Sequence, residues 1–276
     1  MSADVRWLPL EAADGHRWEV PVARGERVDR CLVWVPALGV AARNYEPLAR
    51  ELASRGIAVV VHEWRGLGSS SLRASRRMDW GYLELLRHDL PATVEAARNA
   101  FGRVDVLGGH SLGGQLACCL QALAAPASAL WLVASGAPYW RAFPSPMRHW
   151  LRPTYRMLDA LARLFGALPG RRIGFGGNEA CGVIRDWSRT GLTGRYAARG
   201  IGDIDAPLRG VTVPLHSVLL AHDWLAPRSS LDYLVSKMSP ARTRVDLLDA
   251  AALGTADDHF AWMKSPAAVV DALLHD

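Results

Sequence analysis

Ser111 stands between glycines in Gly109-His110-Ser111-Leu112-Gly113, a spacing that can turn an ordinary serine into a nucleophile. Glycines two residues to either side permit a sharp, strained turn that lifts the hydroxyl clear of the backbone, within reach of both a histidine and a substrate carbonyl. The spacing alone is a weak signal in a chain with 25 glycines. Its surroundings strengthen it. An apolar run from Val104 to Leu107 reads as a strand, and Gln115, Leu116, Ala117, Leu120, Gln121 and Leu123 continue as a helix, so the turn joins strand to helix as the motif requires.

A serine hydroxyl attacks carbonyls poorly near neutral pH unless a histidine takes its proton and an acid fixes the imidazole tautomer. With this motif the acid and then the histidine follow later in the chain. Asp223 comes just after the apolar run Leu215 to Leu220, and His259 lies in a loop after the alternating run Thr243 to Leu248, ahead of a last amphipathic helix near Ser265 to Leu274. Ser111, Asp223 and His259 therefore fall in the required order. His110 lies inside the turn and is expected to pack beside the strand; His222 occupies the acid's loop; His16, His62, His88, His149 and His275 sit in unrelated segments. Asp257 and Asp258 read as loop or capping residues, and Asp203 and Asp205 precede the strand whose end must carry the acid.

Strands and helices alternate along the rest of the chain. A hairpin, Val5 to Leu10 and Arg17 to Val22, turns at Asp14-Gly15, followed by a strand Cys31 to Val35, a helix Asn44 to Arg55 and a strand Ile57 to Val61. A glycine-bearing loop, Glu63 to Ser70, leads to a helix Tyr82 to Phe101 that admits Pro91 at a fresh helical start. Such alternation implies an α/β fold, a mostly parallel sheet covered on both faces. About 80 residues separate the strand Ala129 to Ala134 from that at Leu215, more than a crossover of roughly a dozen needs. Residues 137–204 are expected to form a helical lid inserted after the sixth strand, leaving residues 1–136 and 205–276 as one core domain. The insertion is rich in aromatics, among them Tyr139, Trp140, Phe143, Trp150, Tyr155, Phe175 and Trp187, which would pack it together or face an apolar substrate.

Half of the 276 residues are hydrophobic, enough for one sizeable core. The net charge of +5 comes from scattered arginines without a basic stripe, so nucleic acid is not an expected partner. No charged start leads into an apolar segment and no run is long enough to cross a membrane, so a cytoplasmic protein is expected. Cys31, Cys118, Cys119 and Cys181 lack metal-ligand spacing and read as reduced, small apolar side chains. No metal or cofactor is called for.

Three segments carry a family resemblance: Pro36-Ala37-Leu38-Gly39-Val40, Trp64-Arg65-Gly66-Leu67-Gly68-Ser69-Ser70 and Gly109-His110-Ser111-Leu112-Gly113-Gly114-Gln115. With Asp223 to Pro227 and His259-Phe260, they resemble the α/β-hydrolase superfamily over nearly the whole chain, and within it a bacterial group of predicted α/β hydrolases. Where many members have His-Gly, this chain has Pro36-Ala37, so the backbone N–H groups of Leu38 and Leu112 are the expected oxyanion donors. The resemblance implies a serine hydrolase acting on a small-molecule ester or thioester through Ser111, His259 and Asp223. Acyl transfer, aminopeptidase action with Glu179 and Asp186 holding a substrate ammonium, and a non-catalytic binding protein are the alternatives.

Overall fold

Eight short strands pair into a single sheet in the computed structural model, which describes residues 4–275. The strands are β1 (Asp4–Glu11), β2 (Arg17–Arg24), β3 (Arg30–Val35), β4 (Ile57–Val61), β5 (Val106–His110), β6 (Ala129–Val133), β7 (Leu215–Leu220) and β8 (Thr243–Leu248). They lie in the order β1-β2-β4-β3-β5-β6-β7-β8. Only β2 runs against its neighbours; the hairpin pairs Asp4 with Arg24 and Glu11 with Arg17, and the remaining pairs are parallel.

Side chains alternate across a strand, so β3 feeds two cores. Leu32 and Trp34 pack with Leu48 and Leu52 of α1 (Glu46–Ser54) and with Val269, Val270 and Leu273 of the last helix. Cys31, Val33 and Val35 pack on the other face with Leu90, Val94 and Ala97 of α2 (Leu90–Phe101) and with Leu116, Ala117 and Leu120 of α3 (Leu112–Ala124). The continuous apolar run of β4, buried at every residue, is what a strand covered on both faces requires.

Three elements differ from the expectation. The strand before Ser111 starts two residues later and runs through Gly108, Gly109 and His110. Those glycines read as turn, yet Gly108 is strand because a Cβ there would lie 2.8 Å from the Trp131 carbonyl oxygen and 3.1 Å from the Trp34 ring. The helix expected over Tyr82 to Phe101 is interrupted by a π-helical turn, Leu85–Asp89, before restarting at Leu90. Pro91 has no N–H to donate and its ring would crowd the carbonyl four residues earlier, so the turn before it widens. The last helix, Ala267–Leu274, begins two residues late, after a 3₁₀ turn at Ala261–Lys264.

Between β6 and β7 the chain forms α4 (Met147–Phe165) and α5 (Cys181–Thr193), separated by Ala167–Pro169 paired antiparallel with Asn178–Ala180. Tyr155 and Trp187 meet edge to face at 4.9 Å, and Leu158, Ala162, Leu168 and Ile184 form a small core of their own. Further on, α6 (Arg228–Val235) follows the Asp223 loop, and the last helix is α7. Among the described residues no helix is long and apolar enough to cross a membrane.

Glu179 faces inward in this insertion and accepts the Gly177 N–H at 2.7 Å. Burial pushes its carboxyl up to about 7, against the pull of that hydrogen bond. The ordinary value is 4.5, so between these limits the folded chain holds a proton that the unfolded chain has released, and stability falls as pH rises from 4.5 through 7. Glu179→Gln keeps the acceptor and cannot ionise. The melting temperature of the variant relative to the parent should therefore climb by a few degrees from pH 5 to pH 8, at roughly 2–4 °C per kcal/mol; parallel melting curves across that range would contradict the assignment.

Candidate functional site

Ser111 ends β5 and caps α3 with φ 55° and ψ −122°, a conformation costing on the order of 1–3 kcal/mol outside glycine. The glycines around it let the backbones close in. A Cβ on Gly113 would lie 2.1 Å from the Val35 carbonyl oxygen and 2.3 Å from that of Pro36, so the start of α3 rests directly on the chain leaving β3. A Cβ on Gly109 would lie 2.5 Å from the Gly113 carbonyl carbon. Substitution at either position would push the serine off its turn.

His259 reaches this end of the sheet from the loop after β8, and Asp223 from the loop after β7. His259 Nδ1 lies 2.7 Å from Asp223 Oδ2, with both side chains buried. The other carboxylate oxygen, Oδ1, accepts the N–H groups of Leu225 at 2.9 Å and Ala226 at 3.3 Å. The carboxylate thus has its proton donors arranged around it, and His259 Nδ1 carries the hydrogen it donates to Asp223. That leaves Nε2 with a free lone pair. The His259 ring packs against Phe260 and His110 with centroids 4.7 Å away in each case, which fixes its plane.

Ser111 and His259 both line a cavity of about 500 Å³ beneath α4 and α5, together with Leu38 and Leu112. Its walls are apolar and aromatic, from Phe143, Trp150 and Leu158 to Phe175 and Trp187; no arginine, lysine or carboxylate lines it among the described residues. Glu179 lies behind Gly176, and Asp186 accepts the Tyr82 N–H and pairs with Arg189. Neither carboxylate weighed as an ammonium partner reaches the cavity.

Hydrogen bonds on the Ala37 peptide set the direction of the Leu38 N–H. Tyr45 Oη accepts the Ala37 N–H at 2.8 Å, so this N–H is already occupied. The Ala37 carbonyl accepts the Trp64 indole N–H at 2.9 Å and the Val40 N–H at 3.1 Å. In a trans peptide the N–H points opposite the C=O, so holding the Ala37 carbonyl aims the Leu38 N–H the other way. Neither Leu38 nor Leu112 N–H has a protein acceptor among the described residues; Leu112 is the first residue of α3, where no intrahelical acceptor exists. Tyr45 Oη also lies 2.7 Å from His110 Nδ1 and donates its proton there. Sequence reasoning missed the roles of Tyr45 and Trp64, because both act through hydrogen bonds to the backbone of Ala37, which have no side-chain signature.

Trp64→Phe removes the indole donor and keeps the ring. As a positioning residue, Trp64 should show its loss as a roughly tenfold fall in kcat, a fraction of the 10²–10³ an oxyanion donor contributes, with KM nearly unchanged. A matching rise in KM with kcat intact would instead assign Trp64 to substrate binding.

The other histidines and acids fall elsewhere. His16 is buried between Asp89 at 3.0 Å and Ser70 at 2.9 Å, where Arg65 also binds Asp89 through two nitrogens. Asp258 caps the turn at Phe260 and Ala261 as a loop acid would. Asp257 pairs with exposed His222 at 2.8 Å, a hydrogen bond that lowers its carboxyl below the ordinary range.

The sheet order and the helices on both faces are those of the α/β-hydrolase fold. Similar solved structures include a hydrolase from Pseudomonas aeruginosa (16% identical, TM-score 0.66, covering 99% of both chains) and the esterase domain of a Rhodothermus marinus protein (16%, 0.64, 98% of this chain and 96% of that one). The thioesterase domain of the curacin biosynthetic pathway is 18% identical, with a TM-score of 0.59 over 98% of both chains. No curated protein matches the sequence. The chain belongs to the family described as serine aminopeptidase, S33, whose profile matches residues 26–173.

Proposed function

We propose that this enzyme is a serine hydrolase of carboxylic esters or thioesters with a small to medium apolar acyl group. The observation that carries the reading is the shared cavity: Ser111, His259, Leu38 and Leu112 line one apolar space, and the N–H groups of the two leucines have no protein acceptor among the described residues. In this mechanism His259 Nε2 takes the Ser111 proton as Oγ attacks the carbonyl carbon. The carbonyl oxygen gains the negative charge and is held by the two N–H groups. The tetrahedral centre collapses, the leaving alcohol or thiol departs with the proton from His259, and an acyl-enzyme remains. Water repeats the sequence, giving its proton to His259 and releasing the acid while Ser111 recovers its hydrogen. Asp223 holds the Nδ1–H tautomer and balances the imidazolium. Residues 137–204 act as the lid, with α4 and α5 excluding water from the acyl group.

The family's aminopeptidase description does not extend easily to this cavity. A substrate ammonium would lie there without a carboxylate, at a cost of several kcal/mol. A panel of p-nitrophenyl esters from acetate to laurate, with leucine p-nitroanilide alongside, tests the reading. Each methylene buried adds about 0.8 kcal/mol, so kcat/KM should rise roughly fourfold per CH₂ until the cavity is filled and then fall. Faster turnover of the aminoacyl anilide than of every ester would overturn it.

A further inference from the structure

Gln115 lines the largely apolar cavity with an amide whose carbonyl is hydrogen-bonded and whose NH₂ is not. It lies one helical turn after Ser111, donating its backbone N–H to the Ser111 carbonyl at 3.3 Å, and its side chain lines the same space although the residue is only 4% exposed. Tyr196 Oη lies 3.1 Å from Gln115 Oε1 and has no other partner among the described residues. The Tyr196 ring is fully buried, so its hydroxyl proton needs Oε1 as acceptor, and this fixes the amide with its NH₂ turned away from Tyr196. No protein acceptor meets that NH₂ among the described residues. The hydroxyls of Thr154 and Tyr155, which also line the cavity, are already used on the backbone carbonyls of Trp150 and Pro138.

We propose that the Gln115 amide is a recognition subsite for an oxygen acceptor, a ketone, ether or hydroxyl oxygen, carried within the acyl chain of the substrate. This rests on Ser111 being the nucleophile. The acyl side is assigned by position. The leaving group must meet His259, which packs on the exposed Phe260, whereas Gln115 is only 4% exposed. Ser111 caps α3 and Gln115 stands a full turn into it, about 6 Å along the axis at 1.5 Å per residue, so the acceptor belongs several bonds from the reacting carbonyl rather than on it. A purely hydrocarbon chain would leave the NH₂ buried against CH₂ groups without a partner, which is how a polar residue in an apolar site rejects an unfunctionalised analogue.

The test compares kcat/KM for the N-acetylcysteamine thioesters of octanoic acid and of keto-octanoic acids with the ketone moved stepwise along the chain. Wild type should favour one keto isomer over octanoyl by roughly threefold to tenfold, the range of a net neutral hydrogen bond. Gln115→Met, similar in volume and without a donor, should bring the ratio to about one. Tyr196→Phe, which keeps the amide and frees its orientation, should weaken the preference without reversing it. Labelling of Ser111 by a fluorophosphonate in each variant reports an intact turn. A wild type without preference for any keto isomer, or a preference that survives in Gln115→Met while Ser111 still labels, would overturn the subsite. A wild type that neither labels nor turns over any of the thioesters overturns the Ser111 reading and the subsite with it.

Discussion

Ser111→Ala should abolish labelling by a fluorescent fluorophosphonate and lower kcat on the best ester by roughly 10⁴–10⁶, leaving the fold in place. The size follows from chemistry rather than binding. Without Oγ there is no acyl-enzyme, and the N–H groups of Leu38 and Leu112 are left to stabilise only a direct attack by water. Alanine fits the side-chain space of serine and adopts the same strained backbone at equal cost, so thermal unfolding should move little. A variant that keeps even a tenth of the parent's turnover would place the nucleophile elsewhere.

Asp223→Asn should cost about 10⁴ in kcat through the imidazole tautomer alone. The geometry leaves the asparagine little choice. Its oxygen is drawn to the N–H groups of Leu225 and Ala226, which now meet Oδ1, so its NH₂ turns toward His259 Nδ1. Two donors cannot face each other, and the ring moves its hydrogen to Nε2. There it no longer accepts the Ser111 proton. Kinetics on the preferred ester, with Asp257→Asn as the contrast, measures the effect. The Asp257 pair with exposed His222 is screened by solvent and does not touch His259 Nδ1. A loss under tenfold in Asp223→Asn would remove Asp223 from the role proposed here.

The sheet was legible because its strands announce themselves locally. The alternation of Arg17 to Val22, the unbroken apolar run of β4 and the helix-forming sequence after Ser111 each carry their own period. The approach of His259 to Asp223 was also legible, since each follows a strand whose end had to lie near Ser111. What escaped depends on contacts across the fold. Gly108 belongs to a strand because of Trp34 and Trp131, not its neighbours. Gln115 read only as a helix former; its free amide emerges once Tyr196, 81 residues away, occupies the carbonyl end. The clamp on the Ala37 peptide needs Tyr45 to arrive from the 3₁₀ turn before α1 and Trp64 from the loop after β4. Hydrogen bonds of that kind leave no periodic trace. The widened turn before Pro91 depends on how one ring is relieved of a clash, which the presence of a proline does not specify.

The two loops beyond β7 and β8 are joined twice, with the roles exchanged: His222 of the first takes Asp257 of the second, and Asp223 of the first takes His259 of the second. Adjacent residues on one strand of the joint therefore meet residues two apart on the other, like a two-pin plug whose pins differ. Such a joint fixes the reading frame between the loops. One residue gained or lost within either pin spacing would leave only one contact able to seat. The stretch Trp224 to Pro227 is tied in as well, through the N–H groups of Leu225 and Ala226 on Asp223, so the joint reaches beyond its two pins.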